Sequence, residues 1–155
     1  MVRAINQTHD SNDGNPLQSI SYTPARATKT LPLVRRIVRD LARLSASVAT
    51  QKEQLRAIDA LPETFNGQAY LDEVSDMRDS LAQDVNQLKS YQDELASFGV
   101  EAHEPFDGSV DFPAQLNRRP VFLCWLPDDD RVEYWHELGQ TSRDRKKWDA
   151  TTVGC

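Results

Sequence analysis

Long apolar runs are missing from this chain. Nowhere do eighteen apolar residues stand together, and the opening stretch MVRAINQTHDSNDGNPLQSI contains no continuous apolar segment. Neither a membrane-spanning helix nor a secretory signal is expected from such material. Cysteine is scarce too: Cys124 and Cys155 are too few, and too casually placed, for a disulfide framework or a four-thiolate zinc site. The expected setting is a reducing cytoplasm, without membrane contact. Basic residues are outnumbered, and a net charge of −6 argues against nucleic acid, whose phosphates call for a basic surface. The local basic run Arg143, Arg145, Lys146, Lys147 reads as a solvated face near a terminus. Also absent are a phosphate-cradling glycine loop, a dinucleotide fingerprint, a nucleophile elbow, and any paired-Cys or His-Glu-x-x-His spacing. The chain names no reaction and no cofactor.

What is present is helical periodicity. At 155 residues the chain allows one domain. Residues 1–20 are rich in Asn, Asp, Ser, Thr and Gln and show no period, which predicts a disordered tail. Thr23 is a candidate N-cap with Pro24 at the first helical position, and Pro32 either kinks that helix or opens the next. From there apolar positions alternate spacings of three and four along Val34, Ile37, Leu41, Leu44, Val48, Gln51, Leu55 and Ile58. A second seam follows Val74, Met77, Leu81, Asp84, Leu88, Tyr91, Leu95 and Phe98. Both are heptad seams, each with a single polar member. Folded back on each other they share one register, centred on Phe65-Asn66-Gly67, where Asn and Gly supply turn chemistry. Gln51 and Asp84 then sit in adjacent layers, unless Val85 rotates inward in place of Asp84. The first helix is mainly basic and the second mainly acidic, which favours this pairing. Each helix is expected to be roughly 45 Å long. Val38, Tyr70 and Val85 lie beside the seams, so a four-helix dimer, or cover from the C-terminal module, is expected.

Gly99 is a natural helix stop. Beyond it Val121–Trp125 and Val132–His136 read as the strands of a β-hairpin across a turn at Pro127-Asp128-Asp129-Asp130. The predicted fold is therefore mainly α with a small β element: a long antiparallel two-helix coiled-coil hairpin at about 31–98, then a β module at about 108–138. Together they make a single domain over 21–147, followed by a loose tail at 148–155. Candidate site residues cluster in the β module: Asp111, Cys124, His136 and Glu137, whose types suit metal binding, thiol chemistry or acid–base work. His136, Glu137 and Cys124 are the candidate metal ligands. Plainer roles compete: Cys124 as a small buried hydrophobe, His136 in a structural hydrogen bond, and Asp111 capping a turn ahead of Phe112-Pro113. Trp125 and Trp135 are core or interface anchors, and Tyr134 joins them as an interface candidate. Turn length decides the chemistry. A four-residue loop pairs Cys124 with Glu133 and puts Cys124 and His136 on opposite faces, whereas a five-residue loop puts them on one.

Several blocks taken in order resemble a known family: Tyr22-Thr23-Pro24 with Ala27 and Leu31-Pro32, Leu95 with Gly99-Val100, Val110-Asp111-Phe112-Pro113, Leu123-Cys124-Trp125 and Trp135-His136-Glu137. Over about residues 21–143 they resemble the bacterial family catalogued as domain of unknown function 2203. The resemblance implies a conserved protein with no assigned activity or substrate. The reading that follows is a non-enzymatic, self-associating helical-hairpin protein, expected as a homodimer, that presents its β module to an unidentified protein partner. The alternative is a small metal-binding or thiol-dependent enzyme or sensor that uses Asp111, Cys124, His136 and Glu137, with a divalent metal.

Overall fold

A computed structural model describes residues 20–64 and 66–149. Two helices lead: α1 at Pro24–Asp59 and α2 at Gln68–Ser97. An antiparallel sheet follows, ordered β1 (Glu101–Ala102), β2 (Val110–Leu116), β3 (Arg119–Trp125), β4 (Tyr134–Glu137) and β5 (Lys146–Lys147), so every strand pairs with its neighbour in sequence. The reading of residues 1–20 as a tail falls, apart from Ile20, outside the described residues, as does most of the tail predicted at 148–155.

α1 starts where its cap chemistry places it. The Thr23 hydroxyl accepts from the Arg26 amide at 3.2 Å and Pro24 occupies the first turn. The helix runs unbroken through Pro32, which is exposed and deletes only the bond to the Thr28 carbonyl, so the helical pair begins at Pro24 rather than near residue 31. α2 ends in a Schellman turn: Val100 N–H donates to Leu95 O at 3.1 Å and Gly99 N–H to Ala96 O at 2.9 Å, with Gly99 at φ +73°. Leu95 and Val100 are both buried, supplying the apolar contact that accompanies this motif.

The seams fall where the spacing puts them. Between Leu71 and Glu94 the only shielded residues of α2 are Val74, Met77, Leu81, Asp84, Leu88 and Tyr91, each half-buried. Val85 stays exposed, so it does not replace Asp84; Gln51 Nε2 donates to Asp84 Oδ2 at 2.6 Å, and these residues, expected in adjacent layers, meet directly. The flanking charges behave differently from expectation. The one ion pair between the helices, among the described residues, joins Arg78 of the acidic helix to Asp59 of the basic one.

Helical packing is uneven along the pair. The first half of α1 buries Ala27, Leu31, Val34, Ile37, Val38 and Leu41 against the inner face of the sheet, which contributes Val110, Phe112, Ala114, Val121, Leu123, Trp125 and Trp135. Val38 is thus covered by the C-terminal module, one of the two outcomes expected of it. Tyr22 ties the layers together: its amide donates to Pro113 O at 2.7 Å and its hydroxyl to Phe98 O at 2.6 Å.

The β element is larger than the predicted hairpin. β2, read as a loop because of Pro113, is a full seven-residue strand paired along its length with β3. Proline fits because β1 covers only Val110 and Asp111, while beyond them the other edge meets Tyr22 through a carbonyl that needs no proline N–H. Asn117 and Arg118, at φ +53° and +66°, make the two-residue turn to β3. Trp125 and Trp135, read as core or interface anchors, are core residues that point to the inner face, whereas Tyr134, named as an interface residue, is half-exposed. Of the basic run, Arg143, Lys146 and Lys147 are exposed, as a solvated face requires, while Arg145 pairs with Asp129 and lies 4.1 Å over the Tyr134 ring. Trp148 donates its amide to Glu133 O at 2.6 Å and packs against the core.

Candidate metal centre

The register of β3 against β4 pairs Cys124 with Tyr134 and Phe122 with His136. Extending that register sets Leu126 opposite Val132 and leaves residues 127–131 as a five-residue connection. The parity is the one that brings Cys124 and His136 to the same side of the sheet. Asp129 holds this turn: its carboxylate accepts from the Leu126 amide at 2.9 Å, and its carbonyl accepts from Trp125 Nε1 at 2.9 Å. Opposite Cys124 on the other flank stands Asp111, in β2 rather than in the turn expected for it.

Three side chains therefore converge on the sheet face turned away from the helices, and all are buried: Asp111, Cys124 and His136. A fourth arrives from the segment after β1. Because Glu101 pairs with Asp111, residues 101 and 103 share its side of the sheet, and His103 reaches over to complete the group. Four potential donor atoms, one each from His103, Asp111, Cys124 and His136, lie within 4.8 Å of one another. Glu137 is excluded. It sits one residue beyond His136, hence on the other face, and forms an ion pair with Arg119 at 2.7 Å.

Hydrogen bonding inside this group is unusual. His136 Nδ1 lies 2.8 Å from the Glu137 carbonyl oxygen. A carbonyl can only accept, so Nδ1 carries the proton, and the neutral ring then turns the lone pair of Nε2 toward Asp111 Oδ1 at 3.1 Å. Two acceptors face each other unless a cation stands between them or the ring is charged. His103 Nε2 lies 2.9 Å from Asp111 Oδ2, yet it is buried and makes no hydrogen bond. Burial pushes the Cys124 thiol up to about 12, with the Asp111 charge adding to the effect, so in the absence of a metal the sulfur is a neutral thiol.

The set His₂-Asp-Cys is borderline-soft, mixing imidazole, carboxylate and thiolate donors as zinc-class cations accept them. A tetrahedral zinc shell needs donors about 3.3–3.7 Å apart, so a bound ion would draw this group inward by about an ångström. The His136–carbonyl bond is the outer contact by which metal-bound imidazoles are oriented. Three of the four residues were visible in sequence. His103 was overlooked because the β1–β2 pairing that aligns it with Asp111 rests on a two-residue strand; the available signal was that it is one of only three histidines.

A helical pair capped by an antiparallel sheet, with a buried mixed-donor cluster on the outer sheet face, is the class of protein these features define. The chain belongs to the family of uncharacterised conserved proteins designated domain of unknown function 2203, which it matches over residues 21–148. No curated protein and no solved structure matches it. Among the described residues no helix is long and apolar enough to cross a membrane.

Proposed function

We propose that the chain binds one divalent cation of the zinc class through His103, Asp111, Cys124 and His136, and that the ion serves structure or sensing rather than catalysis. The observation that carries this reading is the convergence of four donor atoms, one each from His103, Asp111, Cys124 and His136, within 4.8 Å of one another, with His136 Nδ1 held by the Glu137 carbonyl and Nε2 left toward Asp111. A proton on Nε2 would relieve that one contact. It would leave unexplained why a thiol and a second imidazole, the latter with an unbonded nitrogen, converge on the same carboxylate. Catalytic zinc keeps an open position on three protein ligands, whereas four protein donors fill a closed shell. The cavities lined by Gln92 and Leu95, by Arg35 and Trp125, and by Gln51 and Met77 contain none of these four residues. Thiol catalysis is disfavoured separately, because Cys124 is fully buried and stays protonated near neutral pH. Sparse cysteine use supports a reducing, cytoplasmic setting.

The test is elemental analysis of protein purified without an affinity tag or chelator, followed by cobalt(II) titration of the metal-free form. The expected result is one equivalent of metal and a thiolate-to-cobalt charge-transfer band, both lost in Cys124→Ser. Metal-free protein that gives no such band on titration overturns the reading.

A second reading concerns self-association. Leu95 is the only fully buried residue of α2, and Leu71 and Val85 are 47% and 41% exposed beside half-buried seam residues. We propose that a second copy covers this face and that the assembled molecule acts as an interaction module. Light scattering should give twice the chain mass; a monomer at all concentrations removes this reading.

A further inference from the structure

A second candidate site lies on the other side of the sheet. Arg35, Arg39 and Arg43 recur every four residues along one face of α1, and together they line an open cavity of about 340 Å³ whose other walls include Asp107, Trp125 and Pro127. That volume suits a small molecule. We propose that this cavity binds a small organic phosphate.

The argument rests first on charge. Among the described residues no carboxylate lies within ion-pairing distance of any of these three arginines, although the chain as a whole carries −6. The single acid in the cavity, Asp107, is engaged by its own loop, accepting from the Ser109 amide at 2.9 Å and from the Ser109 hydroxyl. Three guanidinium groups therefore face one committed carboxylate. Like charges four residues apart on a helix repel, and an anion between them removes the repulsion. Residue choice points the same way. α1 also carries Lys29 and Lys52, yet all three cavity positions are arginine, whose planar fork matches phosphate oxygens two at a time.

Shape supplies the organic part. The Arg35 guanidinium lies 5.3 Å over the Trp125 ring, which pre-orients one fork, and Pro127 offers an apolar wall. Gly108 shapes that wall: it sits at φ +95°, and a Cβ there would stand 3.0 Å from the Pro127 ring. A ligand with a dianionic phosphate and a small ring or carbon skeleton fits these features together.

The experiment is calorimetric titration of the full chain with phenyl phosphate, inorganic phosphate and benzoate, using Arg39→Gln, Arg43→Gln and, as a control, Arg56→Gln. Arg56 is an exposed α1 arginine outside the cavity, already paired with Glu53. The expected result is saturable one-to-one binding of phenyl phosphate, tighter than either partial ligand, weakened about tenfold or more by each cavity variant and unchanged by Arg56→Gln. Circular dichroism confirms that the variants remain folded. The proposal is overturned if phenyl phosphate gives no saturable binding, if Arg56→Gln weakens it as much as the cavity variants do, or if benzoate binds as tightly. Dependence on Arg39 and Arg43 also separates this site from phosphate bound at a metal, so its failure leaves the His₂-Asp-Cys reading untouched, and the reverse.

Discussion

The two faces of the sheet are made by the same strands and obey opposite rules. On the inner face Phe112, Leu123 and Trp135 pack against α1 as an apolar core. One residue along each strand, the outer face buries Asp111, Cys124 and His136, with a carboxylate, a thiol and an imidazole where a second hydrophobic layer would stand. Asp111, Cys124 and His136 are as deeply buried as Phe112, Leu123 and Trp135, although Pro113, Phe122 and Tyr134 around them are only half-buried, so depth at these positions does not distinguish core from site. What distinguishes them is whether the buried atoms satisfy one another. Inner-face atoms need no partner, whereas outer-face atoms remain incompletely paired, which is where a ligand has the most to offer.

That contrast can be broken from either side. The largest effect is expected from Phe112→Ala, which empties the inner face and should destabilise the fold by about 3–5 kcal/mol in denaturant titration, while any stabilisation by added zinc persists. Next comes the outer face. Zinc at a hundredfold excess over its dissociation constant should stabilise the wild type by about 2.7 kcal/mol, and Asp111→Ala or His103→Ala should abolish the increment in the same titration.

A more gradual effect follows from the thiol. In chelator-treated protein the folded state holds the Cys124 proton up to about pH 12, whereas the unfolded chain releases it near its ordinary value of 9.0. Between those limits the folded state binds more protons, so stability falls as pH rises, by up to about 1.4 kcal/mol per pH unit. Urea titrations of wild type and Cys124→Ala at successive pH values should converge with this slope; parallel curves would show that the thiol titrates normally. The smallest effect is expected at the neighbour of His136. Glu137→Ala removes a partly exposed ion pair with Arg119 and should change stability by less than about 1 kcal/mol without touching metal content. Loss of metal in that variant would mean the strand alternation is misassigned.

The helices were legible in the sequence because their signal is local and repeated. Each half-buried position from Val74 to Tyr91 was set by spacing alone, and the Thr23–Pro24 start and the Gly99 stop follow from capping chemistry over a few residues. The sheet was harder to read because its pairing depends on partners far apart. Pro113 disguised β2, since nothing nearby in sequence says that the vacant edge would meet Tyr22. For the site, sequence reasoning reduced the question to one residue of loop length between Leu126 and Arg131 and could go no further. The Asp129 contacts that set the turn come from a side chain reaching back to Leu126 and from Arg145 sixteen residues on. Glu137 was grouped with His136 because adjacency in sequence resembles adjacency in space, which a strand denies.

The Schellman turn at Gly99 also gives the molecule unequal leverage. α2 is about 45 Å long, so a rotation of about 5° at its sheet end carries the tip near Gln68 through about 4 Å. His103 lies only four residues past the pivot, on the short arm. A swing of several ångströms at the tip about this turn would correspond to a much smaller displacement at the imidazole. A side chain at position 99 would stand in ordinary contact with Ile20 at 3.4 Å, but on a backbone at φ +73° that side chains rarely adopt, so the strain of such a substitution would fall on the turn that leads into β1 and His103.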